Sequence, residues 1–156
     1  AADLRDAGVS AEEIVEKVNA LRPFVNTSFV PDRLDYLYKG GRCSRMAFYG
    51  ATLLKFHPLI EMRDGQLTAD KKYRGGMVKC IEQYIDDLAV KYPKYEKTRC
   101  FITNSMADEA VVEAARKKVA EKFSFDEVLE TVAGSVITGH CGRNTLGVLF
   151  IAEENE

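Results

Sequence analysis

The sequence predicts an α/β fold: a two-layer domain in which a mixed β-sheet is covered by helices. Two strand-like runs, 56–62 and 67–73, flank Asp64-Gly65, a strong local signal for an antiparallel β-hairpin. A further strand-like run, 100–103, lies between two predicted helices, an order typical of strands joined by helical crossovers. Together these observations predict a mixed sheet with two long helices packed on one face.

The N-terminal part predicts one helix followed by one strand. Ser10 and Glu13 form a capping-box pair, and apolar residues follow them at helical spacing. The helix is expected to end at Pro23, because the residue before a proline avoids the helical conformation. Residues 24–30 then alternate between two faces, which predicts a strand.

The next segment predicts two short helices. Pro31 and Asp32 are expected to open and cap the first. Gly40-Gly41 is expected to stop it, since glycine tolerates the left-handed conformation that commonly follows a helix. Ser44 is placed to cap the second short helix.

The C-terminal part, after the hairpin, predicts helices and strands in alternation. Apolar spacing predicts helices at about 75–91 and 107–122, with the strand 100–103 between them. Residues 128–132 and 146–151 are expected to form the last two strands. The length of 156 residues fits a single domain spanning residues 1–156.

Composition and charge exclude several classes of protein. Hydrophobic residues make up 46% and charged residues 29%, and the net charge is −2, so no overall basic field attracts nucleic acid. The most apolar stretch, 132–151, is interrupted by polar residues and glycine, so no run approaches the roughly 20 apolar residues of a membrane span. We expect no nucleic-acid partner and no integral membrane segment.

The four cysteines predict free thiols in a reducing compartment. They lie at positions 43, 80, 100 and 141, without a C-x-x-C pair. That pattern is typical of a cytoplasmic protein. The chain begins without Met and shows no signal-peptide pattern, so we expect a cytoplasmic fragment or processed product.

The first candidate binding segment is Gly40-Gly41-Arg42-Cys43-Ser44. The glycines let the backbone approach a ligand closely, and Arg42 next to a helix capped by Ser44 would suit a carboxylate or phosphate. The alternative is an ordinary helix stop followed by an exposed arginine.

The second candidate segment is Gly139–Asn144, interpreted as a polar turn between two apolar strands. His140 could hydrogen-bond a carboxyl group near neutral pH, or could simply bond the backbone of the turn. Cys141 cannot form a dyad with His140 on an extended chain, because adjacent side chains point to opposite sides. Cys141 could still pair with His57 from elsewhere in the fold, although a catalytic cysteine is disfavoured. A zinc site is disfavoured because no local pair of metal ligands is present. A small basic cluster, Lys71–Arg74, lies at the end of the predicted hairpin, and its charges are typical of a strand end exposed to solvent.

Three motifs in order resemble the DegV family of bacterial fatty-acid-binding proteins. The run Leu34–Ser44 resembles the pattern L-x-x-L-x-K-G-G-R-I-S. The segment Leu53–Ile60, followed by Asp64-Gly65 and Lys72–Arg74, is similar to L-L-x-I-K-P-I-L, D-G and K-x-R. His140–Gly147 is similar to H-T-G-P-G-x-L-G, with Cys in place of Thr and Arg-Asn in place of Pro-Gly.

The resemblance implies a carrier without catalytic residues, metal or cofactor. A long-chain fatty acid would be held between this C-terminal domain and an N-terminal domain of the same protein, which is absent from this chain. The resemblance places His140 at the head group of the lipid, with Gly41, Arg42, Cys141 and Gly142 around it. It assigns Arg42 and Arg74 to the contact with a partner fatty acid kinase, which phosphorylates the bound acid.

Two other functions stay open at this point. One is a domain of a dihydroxyacetone-kinase-like enzyme that acts with a separate nucleotide-binding partner. It is disfavoured because the sequence has neither a phosphate-binding glycine loop nor a cluster of metal-binding carboxylates. The other is a fragment that serves only as an interaction module.

Overall fold

The fold is a mixed β-sheet with helices on both faces. The computed structural model describes residues 1–41, 56–63 and 65–153. Three predictions lie outside these residues: the short helix after Ser44, the position of Arg42, and Asp64 in the hairpin. The described strands are β1 Val25–Asn26, β2 Ser28–Val30, β3 Phe56–Arg63, β4 Gln66–Arg74, β5 Arg99–Ser105, β6 Glu127–Val132 and β7 Thr145–Ile151.

The sheet has the order β4-β3-β2-β7-β5-β6, and β1 also pairs with β7. Strands β5 and β6 are parallel, whereas the other described pairs are antiparallel. The predicted hairpin of β3 and β4 is present, with Arg63 paired with Gln66 next to its turn. The prediction of an α/β fold with a mixed sheet is therefore confirmed.

Six α-helices lie within the described residues, and two of them are long. They are α1 Ala2–Asp6, α2 Ala11–Leu21, α3 Asp35–Lys39, α4 Met77–Lys91, α5 Glu109–Lys122 and α6 Ser135–Cys141, and a 3₁₀ turn spans Arg22–Phe24. The Ser10 hydroxyl caps α2 by accepting a hydrogen bond from the Glu13 amide at 3.3 Å, as predicted. Among the described helices, none is long and apolar enough to cross a membrane.

Side chains along β7 point alternately to the two faces of the sheet. Leu146, Val148 and Phe150 enter the main hydrophobic core, which they share with apolar residues of α4 and α5. The intervening residues of β7 therefore point to the opposite face. That second face is only partly covered, by α3 with its small cluster of Leu34, Leu37 and Ile60 and by α6.

A tyrosine hydroxyl from α4 is inserted between β2 and β7. Tyr84 is fully buried, and its hydroxyl accepts a hydrogen bond from the Val148 amide at 3.0 Å and donates to the Ser28 carbonyl at 2.9 Å. The Asn26 side chain also donates to the Val148 carbonyl at 2.9 Å. Side chains thus complete the hydrogen bonds where the pairing of β1 and β2 with β7 is interrupted.

The predicted cap at Asp32 is wrong. Helix α3 begins at Asp35, and Leu34 precedes it without a side-chain cap. The Asp32 carboxylate instead accepts a hydrogen bond from the Asn144 side chain at 3.4 Å and lies 3.7 Å from His57 Nδ1. It therefore ties the segment before α3 to the loop after α6.

The interpretation of residues 139–144 as a turn between two strands is also wrong. Residues Ser135–Cys141 form α6, which ends at Gly142 with a φ of 79°. Adjacent residues on a helix do not point to opposite sides, so the extended-chain argument about His140 and Cys141 does not apply. The β-branched residues that suggested a strand lie partly on β6 and partly on the exposed side of α6.

Candidate functional site

An apolar cavity of about 500 Å³ lies on the sheet face opposite to α4 and α5. This volume falls within the usual range for sites that bind small molecules. Its apolar lining includes Phe29, Leu37, Met62, Leu67, Ile137 and Leu149. The cavity is thus bounded by the sheet, by the β3–β4 hairpin and by the short helices α3 and α6.

The cavity has a polar end and an apolar end. Ser105 and Thr145, paired across β5 and β7, lie at the end next to α6. Leu149 is four residues further along β7, or about 14 Å at the usual rise of a strand. Met62 and Leu67, paired across the hairpin, also line the apolar end. This arrangement suits a long ligand with one polar terminus.

Close glycine contacts hold α3 against α6 at the polar end. A Cβ atom on Gly40 would lie 2.5 Å from His140 Nδ1, and one on Gly142 would overlap the ring of Tyr36. Glycine at both positions therefore lets the two helix ends pack directly on each other. Gly41, with a φ of 74°, follows Gly40 in the left-handed conformation.

His140 lies at this junction and lines the cavity. Its Nδ1 is buried and has no hydrogen-bond partner among the described residues. Because Nδ1 faces the Cα of Gly40, which is at most a weak donor, a lone pair fits there better than an N–H. The neutral imidazole then carries its proton on Nε2, which makes that atom a hydrogen-bond donor.

Cys141 also lines the cavity but is not an activated nucleophile. Burial raises the pKa of its thiol, which favours the neutral form. His57 does not pair with it, because the two His57 ring nitrogens lie 3.3 and 3.2 Å from the carbonyls of Pro31 and Gly75. No group of three His, Cys, Asp or Glu side chains that could hold a metal occurs among residues 1–41, 56–63 and 65–153.

The basic cluster at the end of β4 is separate from the cavity lining. Lys71 and Tyr73 are engaged with Asp87, at 2.7 and 2.8 Å. Arg74 is exposed and forms no ion pair with another described residue. Arg42 lies outside the described residues, so of the two predicted partner-binding arginines only Arg74 has a defined position.

Of the residues that sequence reasoning named for the head group, His140 and Cys141 line the cavity, whereas Gly142 packs on Tyr36 and Gly41 lies outside the lining. Several other cavity residues were missed. Ser105 is the clearest case, because a single serine at the end of a strand carries no motif. Its position could have been inferred only from alternation along β5, where Cys100 and Ile102 enter the core and Thr103 and Ser105 line the cavity.

Comparison with known proteins identifies the family. A family model described as an uncharacterised protein of the DegV family matches residues 1–153. The chain belongs to the DegV family. Among its DegV relatives, a fatty acid-binding protein of Thermotoga maritima is 29% identical over 149 residues, which are 94% of this chain and 51% of the relative. The chain thus spans about half the length of the curated relatives it matches.

Solved DegV structures share the fold. The crystal structure of a DegV lipid binding protein from Thermotoga maritima superposes with a TM-score of 0.78 at 25% identity, covering 99% of this chain and 53% of that one. The Streptococcus pneumoniae fatty acid kinase (Fak) B3 protein, loaded with linoleic acid, superposes with a TM-score of 0.82 at 23% identity, covering 97% of this chain and 53% of that one. Both matches show the same α/β architecture.

Proposed function

We propose that this chain contributes half of a site that binds one long-chain fatty acid, and that the protein carries the acid rather than transforming it. The observation that supports this most strongly is the elongated apolar cavity with His140 at its polar end. The fatty acids bound by DegV relatives have the matching chemistry, a long apolar tail and a single carboxylate.

In this proposal the tail and the head group have different tasks. Each buried CH₂ group of the tail contributes about 0.8 kcal/mol, so the tail supplies most of the affinity. The His140 Nε2–H donates to the carboxylate and orients it. Gly41, Cys141 and Gly142 are proposed to lie around the head group, together with Arg42, which is outside the described residues.

We further propose that an N-terminal domain of the same protein covers the open side of the cavity. Val136 and Ile137, both on α6, are 72% and 56% exposed, and Val132 at the end of β6 is 71% exposed. Clustered exposed apolar side chains are typical of surfaces that bind a partner. The unmatched half of the relatives' length would provide such a covering domain.

Arg42 and Arg74 are proposed to bind a partner fatty acid kinase that phosphorylates the carboxylate. The Arg74 guanidinium is exposed and forms no ion pair within the described part of the chain, which supports this role because it is available to an acidic or phosphorylated group. We place the protein in the cytoplasm, where the free thiols of Cys80, Cys100 and Cys141 stay reduced.

Native mass spectrometry of the complete gene product tests the proposal. A co-purifying fatty acid of about 16 to 18 carbons is expected, whereas a retained nucleotide would favour the kinase-like enzyme. His140→Ala should still retain lipid, because one lost hydrogen bond to a charged group costs only about 1.5–3 kcal/mol. Phosphorylation of the bound acid by the kinase should fall strongly, because that chemistry depends on positioning.

Gly139→Ala is the matched control for His140→Ala, because a Cβ at Gly139 would meet no atom within 4 Å. It should retain both lipid and phosphorylation. If His140→Ala also kept both at the level of the parent, His140 would have no role at the head group. A complete gene product without any bound lipid, even after incubation with palmitate, would contradict the proposed function.

A further inference from the structure

We infer that Ser105 is a second hydrogen-bond donor to the carboxylate at the polar end of the cavity, acting together with His140. This inference rests on the proposed function and adds a residue to the site. Ser105 is the last residue of β5, only 1% exposed, and it lines the cavity. Its hydroxyl oxygen is buried and has no partner among the described residues.

The carbonyl of Ser105 already has a partner, so it does not compete for the hydroxyl. Ser105 pairs with Thr145 in the antiparallel ladder, and its carbonyl accepts a hydrogen bond from the Asn144 amide at 2.8 Å. A buried hydroxyl without a partner destabilises the empty protein. A ligand oxygen at this point would remove that cost.

The other buried polar residues of the cavity lining have side chains that are bonded within the protein. The Ser28 hydroxyl lies 2.8 Å from the Tyr84 hydroxyl. The Asn104 carbonyl oxygen accepts from the Ala107 amide at 3.1 Å, and the Thr145 hydroxyl donates to the Cys141 carbonyl at 3.0 Å. These groups have no need of a ligand, in contrast to Ser105.

Unpaired buried polar atoms are few and are concentrated at this cavity. Three such side-chain atoms occur among the described residues: the Ser105 hydroxyl, His140 Nδ1 and Asp86 Oδ1. Asp86 Oδ1 faces the ammonium groups of Lys118 and Lys122 at 3.1 and 3.0 Å, far from the cavity lining. The other two belong to residues that line the cavity.

A short series of contacts puts Ser105 at the same end of the cavity as His140. Ser105 is opposite Thr145, and the Thr145 hydroxyl bonds the carbonyl of Cys141, the residue after His140. A carboxylate has two oxygens with about four acceptor positions, enough for both donors. In this arrangement His140 binds from α6 and Ser105 binds from the sheet.

The test measures palmitate affinity of the complete gene product, delipidated, with Ser105 replaced by Ala. The dissociation constant should rise about 10- to 100-fold, the effect of losing one hydrogen bond to a charged group. The empty variant should be as stable as the parent or more stable, because an unpaired hydroxyl has been removed. With methyl palmitate, which has no charged head group, the parent and the variant should differ by less than about threefold.

Thr131→Val is the matched control, because it removes a hydroxyl of the neighbouring strand β6 that already bonds Thr103 at 2.8 Å and lies outside the cavity lining. Its palmitate affinity should stay within about threefold of the parent. Should Ser105→Ala fold poorly, Ser105→Cys keeps the volume with a weaker donor, and an intermediate loss of affinity is expected.

The outcomes separate this inference from the proposed function. Palmitate affinity of Ser105→Ala and Ser105→Cys equal to that of the parent, with His140→Ala weakened, would overturn the role of Ser105 alone. An equal loss for methyl palmitate and palmitate would also overturn it, since the effect would then be one of cavity shape. Failure of the parent to bind either compound would overturn both.

Discussion

The hydroxyl oxygen of Tyr84 takes part in the hydrogen bonding between two strands of the sheet. This hydroxyl replaces a strand-to-strand hydrogen bond between Ser28 and Val148. A side chain of the helical layer thereby becomes part of the ladder. The stability of the sheet centre then depends on one oxygen atom that is delivered from α4.

Tyr84→Phe should lower the free energy of unfolding by about 1–3 kcal/mol, because it leaves the Val148 amide and the Ser28 carbonyl without their buried partner. Urea unfolding should show a lower midpoint with an unchanged slope. Tyr95→Phe is the control, since its hydroxyl accepts from the exposed Ser124 amide, which water can satisfy instead. Equal shifts in both variants would contradict this account of Tyr84.

A second prediction concerns the single side chain of Arg74. Because it is exposed and outside the cavity lining, Arg74→Ala should leave both stability and lipid content of the complete gene product unchanged. Phosphorylation of the bound acid by the partner kinase should fall. Lys72→Ala, on the exposed neighbour, is the control and should change it less. A loss of lipid from Arg74→Ala would instead make this arginine a ligand of the head group.

At the scale of elements, α6 determines the polar end of the cavity. The helix is short and rich in β-branched residues, which are poor helix formers. Its ends are nevertheless fixed, by Gly134 before it and by Gly142 in the left-handed conformation after it. Packing against α3 therefore outweighs local preference.

Gly142→Ala should destabilise the protein by more than about 1 kcal/mol, because alanine would be strained at a φ of 79° and its Cβ would overlap Tyr36. Thermal unfolding measures the effect. Gly139→Ala on the same helix is the opposite case, since its Cβ has free space, and it should stabilise by about 0.5–1 kcal/mol. Destabilisation by Gly139→Ala as large as that by Gly142→Ala would show that the contact with Tyr36 is unimportant.

The same helix marks the limit of what the sequence could predict. Strands β3 and β4 and helices α4 and α5 follow their local patterns, so their positions were predicted within a few residues. Helix α6 was missed, because its β-branched side chains indicate a strand and only the contact with α3 decides otherwise. The resemblance singled out His140, whereas Ser105 lines the same cavity without belonging to a motif.

In the molecule as a whole, one face of the sheet is covered by two long helices, whereas the other face is only partly covered. The residues of the main core pack between the sheet and the helices α4 and α5, and they do not depend on the cavity. The face that carries the cavity retains exposed apolar side chains on β6 and α6. Packing of the main core therefore does not depend on how the open side of the cavity is covered.

Residues 1–156 alone should fold but bind palmitate only weakly, at least about 100-fold less tightly than the complete gene product. Half of the tail would stay in contact with water, and each CH₂ left exposed forfeits about 0.8 kcal/mol. Isothermal titration with palmitate measures the difference, and light scattering should reveal some self-association through the apolar surface. Tight stoichiometric binding of palmitate by this chain alone would contradict the proposal of a covering domain.

The alternation of residues along β7 has a consequence for how the cavity could diversify. Val148 and Phe150 belong to the core, while Gly147 and Leu149 line the cavity. A substitution at Leu149 would reshape the space for the tail without disturbing the layer beneath it. Substitutions at every second position of β7 could thus change the shape of the cavity, by design or in evolution. The intervening positions would keep the hydrophobic core constant.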